Sequence, residues 1–437
     1  MQVLLCLSVA LFAGLMLSRL AKVLKLPAVT AYLVAGILVG PSLLGALGID
    51  GLGFSHAAGA VSNIDNELFT LIADVALGFI AFSIGNEFRL SSLKHTGKQA
   101  TVIGIVQALV ATLLVDAALI GMSLLWPNIL PRPAAIILGA IASATAPAAT
   151  LMVVRQYKAK GPLTEILLPI VALDDAVGLI IFAISFGISK AMISGRLDPV
   201  SIIVEPILEV VFSLLLGLIM GLLFSFFERF FHSRSKRIAM SVTFVLLTVA
   251  LSMLSFEIAG IHVAFSSLLV CMMMGTVFCN ICDFSEELMG RIDRWTAPLF
   301  VLFFVISGAE LKLSVFENLS FVLIGVVYIL ARSAGKYFGS RFSAQAVHCQ
   351  PTIVQYLGVT LLPQAGVALG MAIKARALPL MNGVDVGDIV GNITLFAVLI
   401  YELVGPLLTK IALSKAGEIS PEGKRSARQQ LPKDQIH

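Results

Sequence analysis

The stretch "LLPIVALDDAVGLIIFAIS", Leu167–Ser185, reads as a membrane-spanning helix with two carboxylates at its middle. Each Asp at a bilayer centre costs about 2.5–3.5 kcal/mol on insertion scales. Adjacent helix positions differ by about 100° around the axis, so Asp174 and Asp175 belong to neighbouring faces of one helix. In a poorly hydrated cavity two neighbouring carboxylates resist ionising together. A proton neutralises such a site, and so does a small monovalent cation. Proton and cation then compete for one anionic place.

The rest of the chain supplies the setting. Its 437 residues are 58% hydrophobic and only 13% charged, against about 45–50% and about 25% in soluble domains. That is the composition of a polytopic membrane protein, and the net charge of +4 points to no nucleic acid. The five cysteines form no disulfide framework, and Cys279 and Cys282 make a lone CxxC read as a plain helix end.

A spanning helix needs about 20 mostly apolar residues. Thirteen segments qualify: 2–18, 27–46, 67–85, 99–125, 134–153, 163–190, 204–227, 238–255, 258–278, 296–311, 318–340, 352–374 and 386–409. The predicted class is therefore all-α and polytopic, with a transmembrane domain over 1–409 and a short polar cytoplasmic tail over 410–437. With the N-terminus outside, 24 of the 30 Lys and Arg residues fall on the inner side and 6 on the outer. This satisfies the positive-inside rule and predicts an inner-membrane protein with a cytoplasmic C-terminus.

Two of the segments contain a helix breaker. Pro147 interrupts the fifth and Pro363 the twelfth, and proline removes a backbone donor and clashes with the preceding turn. The two lie seven segments apart. Segments one to six (about 1–190) and eight to thirteen (about 238–409) then form two inverted six-helix repeats, with 204–227 as linker helix. Interrupted helices at matching places in inverted repeats point to a transporter site. At about 1.5 Å per residue, Thr145, Asp174 and Gln364 all lie about 16–18 Å deep, near the middle of a core about 30 Å thick. Ser143, Thr145 and Gln364 are placed to offer oxygens beside the carboxylates.

Other motifs follow in order: "LPAVTAYLVAGILVGPSLLG" (Leu26–Gly45), "ALGFIAFSIGNEFRL" (Ala76–Leu90), "GKYFG" (Gly335–Gly339), "QAGVALG" (Gln364–Gly370) and "VGPLL" (Val404–Leu408). With the paired aspartates they resemble the monovalent cation:proton antiporters of the sodium/proton exchanger superfamily, bacterial-type members with two aspartates. The resemblance implies a thirteen-helix fold with a dimerisation domain and a moving core, hence a homodimer. It implies Asp175 as the principal cation and proton ligand and Thr145 as a polar residue of the unwound crossing helix. Asp174 matches the aspartate that pairs with a tenth-helix lysine in electrogenic members. No cofactor is implied beyond the transported Na⁺ or K⁺ and H⁺.

Two departures stand out. Ala146 occupies the place where some relatives carry an aspartate, and the tenth segment has no mid-membrane lysine. Glu310 and Lys312 sit at its outer end. Arg332, deep in the eleventh segment, is read as a structural ion-pair holder, with service near Asp174 in the lysine's stead as the alternative. Asp74, Asp116 and Glu402 also lie in apolar runs, where ionisable groups mark pathways or pairs. Asp74 and Glu402 are candidate partners for Arg332.

The expected function is exchange of Na⁺, or of K⁺ or Li⁺, for protons by alternating access, with the ion at Asp174, Asp175, Thr145 and Ser143. The alternatives are a sodium-coupled organic-anion symporter and a K⁺ efflux channel or transporter. An enzyme is not expected: adjacent aspartates on one helix cannot clamp a scissile carbonyl from both sides, as an intramembrane aspartyl protease requires.

Overall fold

The computed structural model describes residues 2–419 apart from 25, 42, 46–52, 56–66, 87–89, 128, 195–203, 232, 259–260, 264, 283, 311–318, 377, 379 and 382–383. In chain order the helices are α1 (Gln2–Val23), α2 (Ala28–Val39), α3 (Glu67–Asn86), α4 (Leu90–Leu125), α5 (Arg132–Ile141), α6 (Pro147–Tyr157), α7 (Pro162–Ser194), α8 (Glu205–Glu228) and α9 (Arg234–Ser252). After a hairpin of β1 (Phe256–Ile258) and β2 (Ile261–Val263) come α10 (Ser267–Ile281), α11 (Ser285–Glu310), α12 (Leu319–Ala346), α13 (Pro351–Thr360), α14 (Gly366–Ala375) and α15 (Val386–Lys415).

Helix occupies each of the thirteen predicted segments, and the fifth and twelfth each hold two short helices. Among the described residues, eight helices are long and apolar enough to cross a membrane; α2, α5 and α10 are shorter apolar helices. The ninth segment starts differently from expectation. Residues 256–258 and 261–263 pair antiparallel, Phe256 with Val263, and α10 begins only at Ser267. Aromatic and β-branched residues at 256, 258, 261 and 263 favour the pleated strand over the helix.

Close helix pairs rest on small residues, as membrane packing requires in the absence of a hydrophobic force between helices. A Cβ on Gly335 would stand 2.5 Å from Ala111 Cα, and one on Gly339 would stand 2.9 Å from Gln107 Cα. The i, i+4 glycines of α12 thus bring it backbone to backbone against α4. The same device seats α2 on α11, where a Cβ at Gly36 would meet the Val305 carbonyl oxygen at 2.1 Å.

The tail does not begin at 410. Helix α15 runs on to Lys415, and the segment after it folds back onto the start of α7. Glu418 accepts backbone N–H bonds from Leu163 (2.6 Å) and Thr164 (2.8 Å), and the Thr164 hydroxyl donates to it at 2.6 Å. A carboxylate there satisfies orphan donors and complements the positive helix end. Gly161 makes room: its φ is +158°, and a Cβ would meet Glu418 Cδ at 2.5 Å. Residues 420–437 of the expected tail lie outside the described residues.

Removing this cap tests whether it secures the helix that carries the aspartates. Glu418→Ala is expected to cost about 1.5–3 kcal/mol, the range of hydrogen bonds to a charged group. Thermal unfolding in detergent reads the effect, and an unchanged midpoint would reject it.

Candidate functional site

Helix α5 stops at Ile141, residues 142–146 are unwound, and α6 starts with Pro147 in its first turn. Helix α13 stops at Thr360, residues 361–365 are unwound, and α14 starts at Gly366. Both prolines therefore act as breakers, as expected. The two unwound segments meet: the Ala146 N–H donates to the Pro363 carbonyl at 2.8 Å.

Breaking two helices side by side frees backbone carbonyls away from water, and each must find a donor. The donors come mostly from α12. Arg332 gives Nε to the Ala142 carbonyl (3.0 Å), Nη2 to that of Ala144 (2.6 Å) and Nη1 to that of Leu362 (2.7 Å). Its guanidinium lies 4.5 Å from the centre of the Tyr401 ring. Lys336 gives Nζ to the Ser143 carbonyl at 2.6 Å. Gln364 gives Nε2 to the Ile141 carbonyl (2.9 Å) and also lies 2.9 Å from the Tyr328 hydroxyl. Four consecutive carbonyls, 141–144, are thus each held by a side chain.

The two aspartates of α7 face unlike surroundings. Asp174, fully buried, accepts from Lys336 Nζ at 3.0 Å, from the Thr145 hydroxyl at 2.5 Å and from Gln107 Nε2. Lys336 also donates to Thr145 Oγ1 at 2.9 Å, so cation, hydroxyl and carboxylate form a closed triangle. Asp175 is 2% exposed, and neither of its carboxylate oxygens has a hydrogen-bond partner. The charges of Asp174 and Lys336 both act on it. An isolated ionised carboxylate in such a place costs several kcal/mol. Asp175 is therefore the buried member of the pair that no hydrogen bond satisfies.

The expectation of a missing lysine is overturned. Lys336, at the centre of "GKYFG", is the partner of Asp174, and it reaches it from α12 rather than from the tenth segment. Neither Arg332 nor Glu310 takes that place. Arg332 is structural but holds carbonyls, pairing with neither Asp74 nor Glu402. Glu310 is a neighbour of Glu402 on α15. Ser143 reaches the network through its carbonyl, while its hydroxyl donates to the Ala140 carbonyl at 2.6 Å. Gln364 braces the crossing with its amide instead of offering its oxygen beside the carboxylates, and the backbone carbonyls of residues 141–144 are taken by side-chain donors. Gln107 and Tyr328 were missed, since a single amide or phenol in an apolar run carries no signal of what it faces. Among the described residues no group of three His, Cys, Asp or Glu is assembled.

Two broken helices crossing beside a buried carboxylate pair, inside a bundle of apolar helices, define a secondary transporter for a small ion. The family model described as "Sodium/hydrogen exchanger, transmembrane" matches residues 7–415. The chain belongs to the sodium/hydrogen exchanger family. Its fold is similar to that of the sodium/proton antiporter MjNhaP1 from Methanocaldococcus jannaschii. For the structure at pH 8 the TM-score is 0.67 at 21% identity, covering 95% of this chain and 99% of that one. For a structure of the same antiporter from an electron-microscopy map the score is 0.68 at 18% identity, covering 95% and 98%. No curated protein matches the sequence.

Arg332 offers the sharpest test of the crossing. Arg332→Ala leaves the carbonyls of residues 142, 144 and 362 without their donor, a loss expected to reach several kcal/mol. The thermal midpoint in detergent is expected to fall further than for Glu418→Ala. Equal midpoints would show that water or neighbouring groups replace the guanidinium.

Proposed function

We propose that the chain exchanges a monovalent cation, Na⁺ before K⁺ or Li⁺, for protons by alternating access, and that cation and proton compete for Asp175. The observation that carries this reading is the contrast within the aspartate pair. Asp174 is neutralised by Lys336, whereas Asp175 is buried with no partner. In the proton-loaded form Asp175 carries a proton and Lys336 holds Asp174. When a cation arrives, Asp175 releases its proton and Asp174 turns from Lys336 to the cation, with Thr145 beside it. Lys336, left buried without its counter-charge, gives up a second proton. Two protons then leave for each cation that enters, and exchange moves net charge.

The organic-anion symporter finds less support. It needs a free basic group at the crossing, and both basic groups there, Arg332 and Lys336, are engaged. The 24 to 6 distribution of basic residues supports an inner-membrane protein with its N-terminus outside. Inverted repeats over about 1–190 and 238–409 belong to the same reading and rest on the spacing of the two broken helices, while a homodimer rests on the family resemblance.

The first experiment is proton flux in proteoliposomes, followed with a pH dye as Na⁺, K⁺ and Li⁺ are added in turn. Asp175→Asn is expected to abolish cation-driven flux, and full activity would sink the shared site. Asp174→Asn is expected to alter pH dependence or cation affinity. A second experiment imposes a membrane potential. Wild-type exchange is expected to respond to it and Lys336→Gln to lose the response. A wild type indifferent to potential would remove the second proton from the cycle.

A further inference from the structure

Glu402 is a buried carboxyl that this cycle does not use. It lies on α15, it is 4% exposed, and its Oε2 is sealed without a hydrogen-bond partner. It stands one turn before Gly405, where a Cβ would meet Pro363 Cα at 3.0 Å, so it is beside the crossing and not remote from it. Next to it, the Leu403 carbonyl is 3.5 Å from the Thr30 hydroxyl of α2.

Among the described residues, no cation is placed to neutralise it. On α12, Arg332 is turned to the carbonyls and Lys336 to Asp174. Helix α2 carries no charged residue and α13 none, while Arg132 of α5 and Lys374 of α14 stand at the ends away from the crossing. On α6, Arg155 and Tyr157 lie in the last turn. Within α15, Asp388 is in the first turn and Lys410 lies 5.2 Å from the Tyr157 ring centre. Among the described residues, the charged group acting on Glu402 is Glu310, at the end of α11, which is of the same sign. A desolvated carboxyl facing a like charge resists ionising.

We propose that Glu402 is a second proton-binding site of this protein, distinct from Asp175, and that the conformation seen here requires its proton. The proposal rests on the reading of the chain as a cation/proton exchanger. Its sign follows directly. As pH rises the proton is lost, the carboxylate is left against Glu310, and this conformation is disfavoured. The alkaline limb of the wild-type activity profile thus contains a contribution from Glu402. The site binds a proton and not the exchanged cation, so the half-saturation for the cation does not depend on it.

The test is the pH profile of cation-driven proton flux for wild type, Glu402→Gln and Glu402→Asp, each at several cation concentrations. Glutamine is permanently neutral, so its alkaline limb is expected to move to higher pH, with half-saturation near that of wild type at the optimum, the pattern of a group outside uniform ligand binding. Aspartate is expected to restore the pH sensitivity. Glutamine and wild-type limbs that superimpose would overturn the proposal, as would a changed half-saturation with an unmoved limb. So would failure of both Glu402→Gln and Glu402→Met to yield folded protein, because the fold must tolerate a neutral residue at 402. Asp175→Asn serves as the separate control. Flux lost there with an unmoved Glu402→Gln limb rejects only this second site, whereas cation-independent wild-type flux rejects the exchanger reading itself.

Discussion

A helix broken in the middle of a bilayer leaves carbonyls that water does not reach, and the rest of this structure depends on how they are satisfied. Here the solution is positive charge. Arg332 and Lys336 lie four residues apart, on one face of α12, and between them they hold the carbonyls of residues 142, 143, 144 and 362. Hydrogen bonds from charged donors are stronger than neutral ones, and stronger again where the dielectric is low. Two buried cations, however, need counter-charge. Asp174 supplies it to Lys336; the carbonyl dipoles and the Tyr401 ring face supply it to Arg332. The break in the helices and the presence of aspartates are thus one electrostatic problem with one solution.

That solution sets the demands on the neighbouring helices. For Lys336 to reach both the break and Asp174, α12 must lie close to α4 and to α7. Gly335 and Gly339 flank the lysine and remove the Cβ atoms that would hold α12 off Ala111 and Gln107. Gln107, brought in by the same contact, then donates to Asp174. At the other end of α7, Glu418 fixes the helix start through two backbone N–H groups. The site helix is held at its end by a carboxylate cap and at its middle by the network around Asp174.

Much of this was legible in the sequence, and the part that was not has a physical cause. Pro147 and Pro363 sit inside apolar runs, and a proline there has few readings besides a break. Two adjacent aspartates in a third run are expensive enough to demand a function. In the 24 to 6 distribution Lys336 counts among the inner basic residues, near the end of the apolar run 318–340. The helix instead continues to Ala346, so Lys336 is ten residues from its end, about 15 Å at 1.5 Å per residue. Hydropathy locates where apolar residues stop, not where the helix stops, and a polar last turn and a half hides depth. The spacing Gly335–Lys336–Gly339 was the available signal: a lysine between glycines four apart lies on a close-packed face, where it cannot snorkel to the surface. Gln107, Tyr328 and the reach of Glu418 back to α7 left no such trace, because they depend on which helices become neighbours.

The adjacency of Asp174 and Asp175 now has a reason that neither composition nor periodicity provides. On one helix, a step of one residue turns a side chain by about 100°. That is enough to put one carboxylate into the triangle with Lys336 and Thr145 and to leave the other outside it. The two groups remain close enough to feel each other's charge, so a change at either is felt at once by its neighbour. Aspartates one helical turn apart would share a face and compete for the same lysine. Aspartates on separate helices would need both helices held in register through every conformation of the protein. Adjacent positions give one fixed and one vacant carboxylate on a single rigid element, and a rigid element is what a site must ride on if it is to face two solutions in turn.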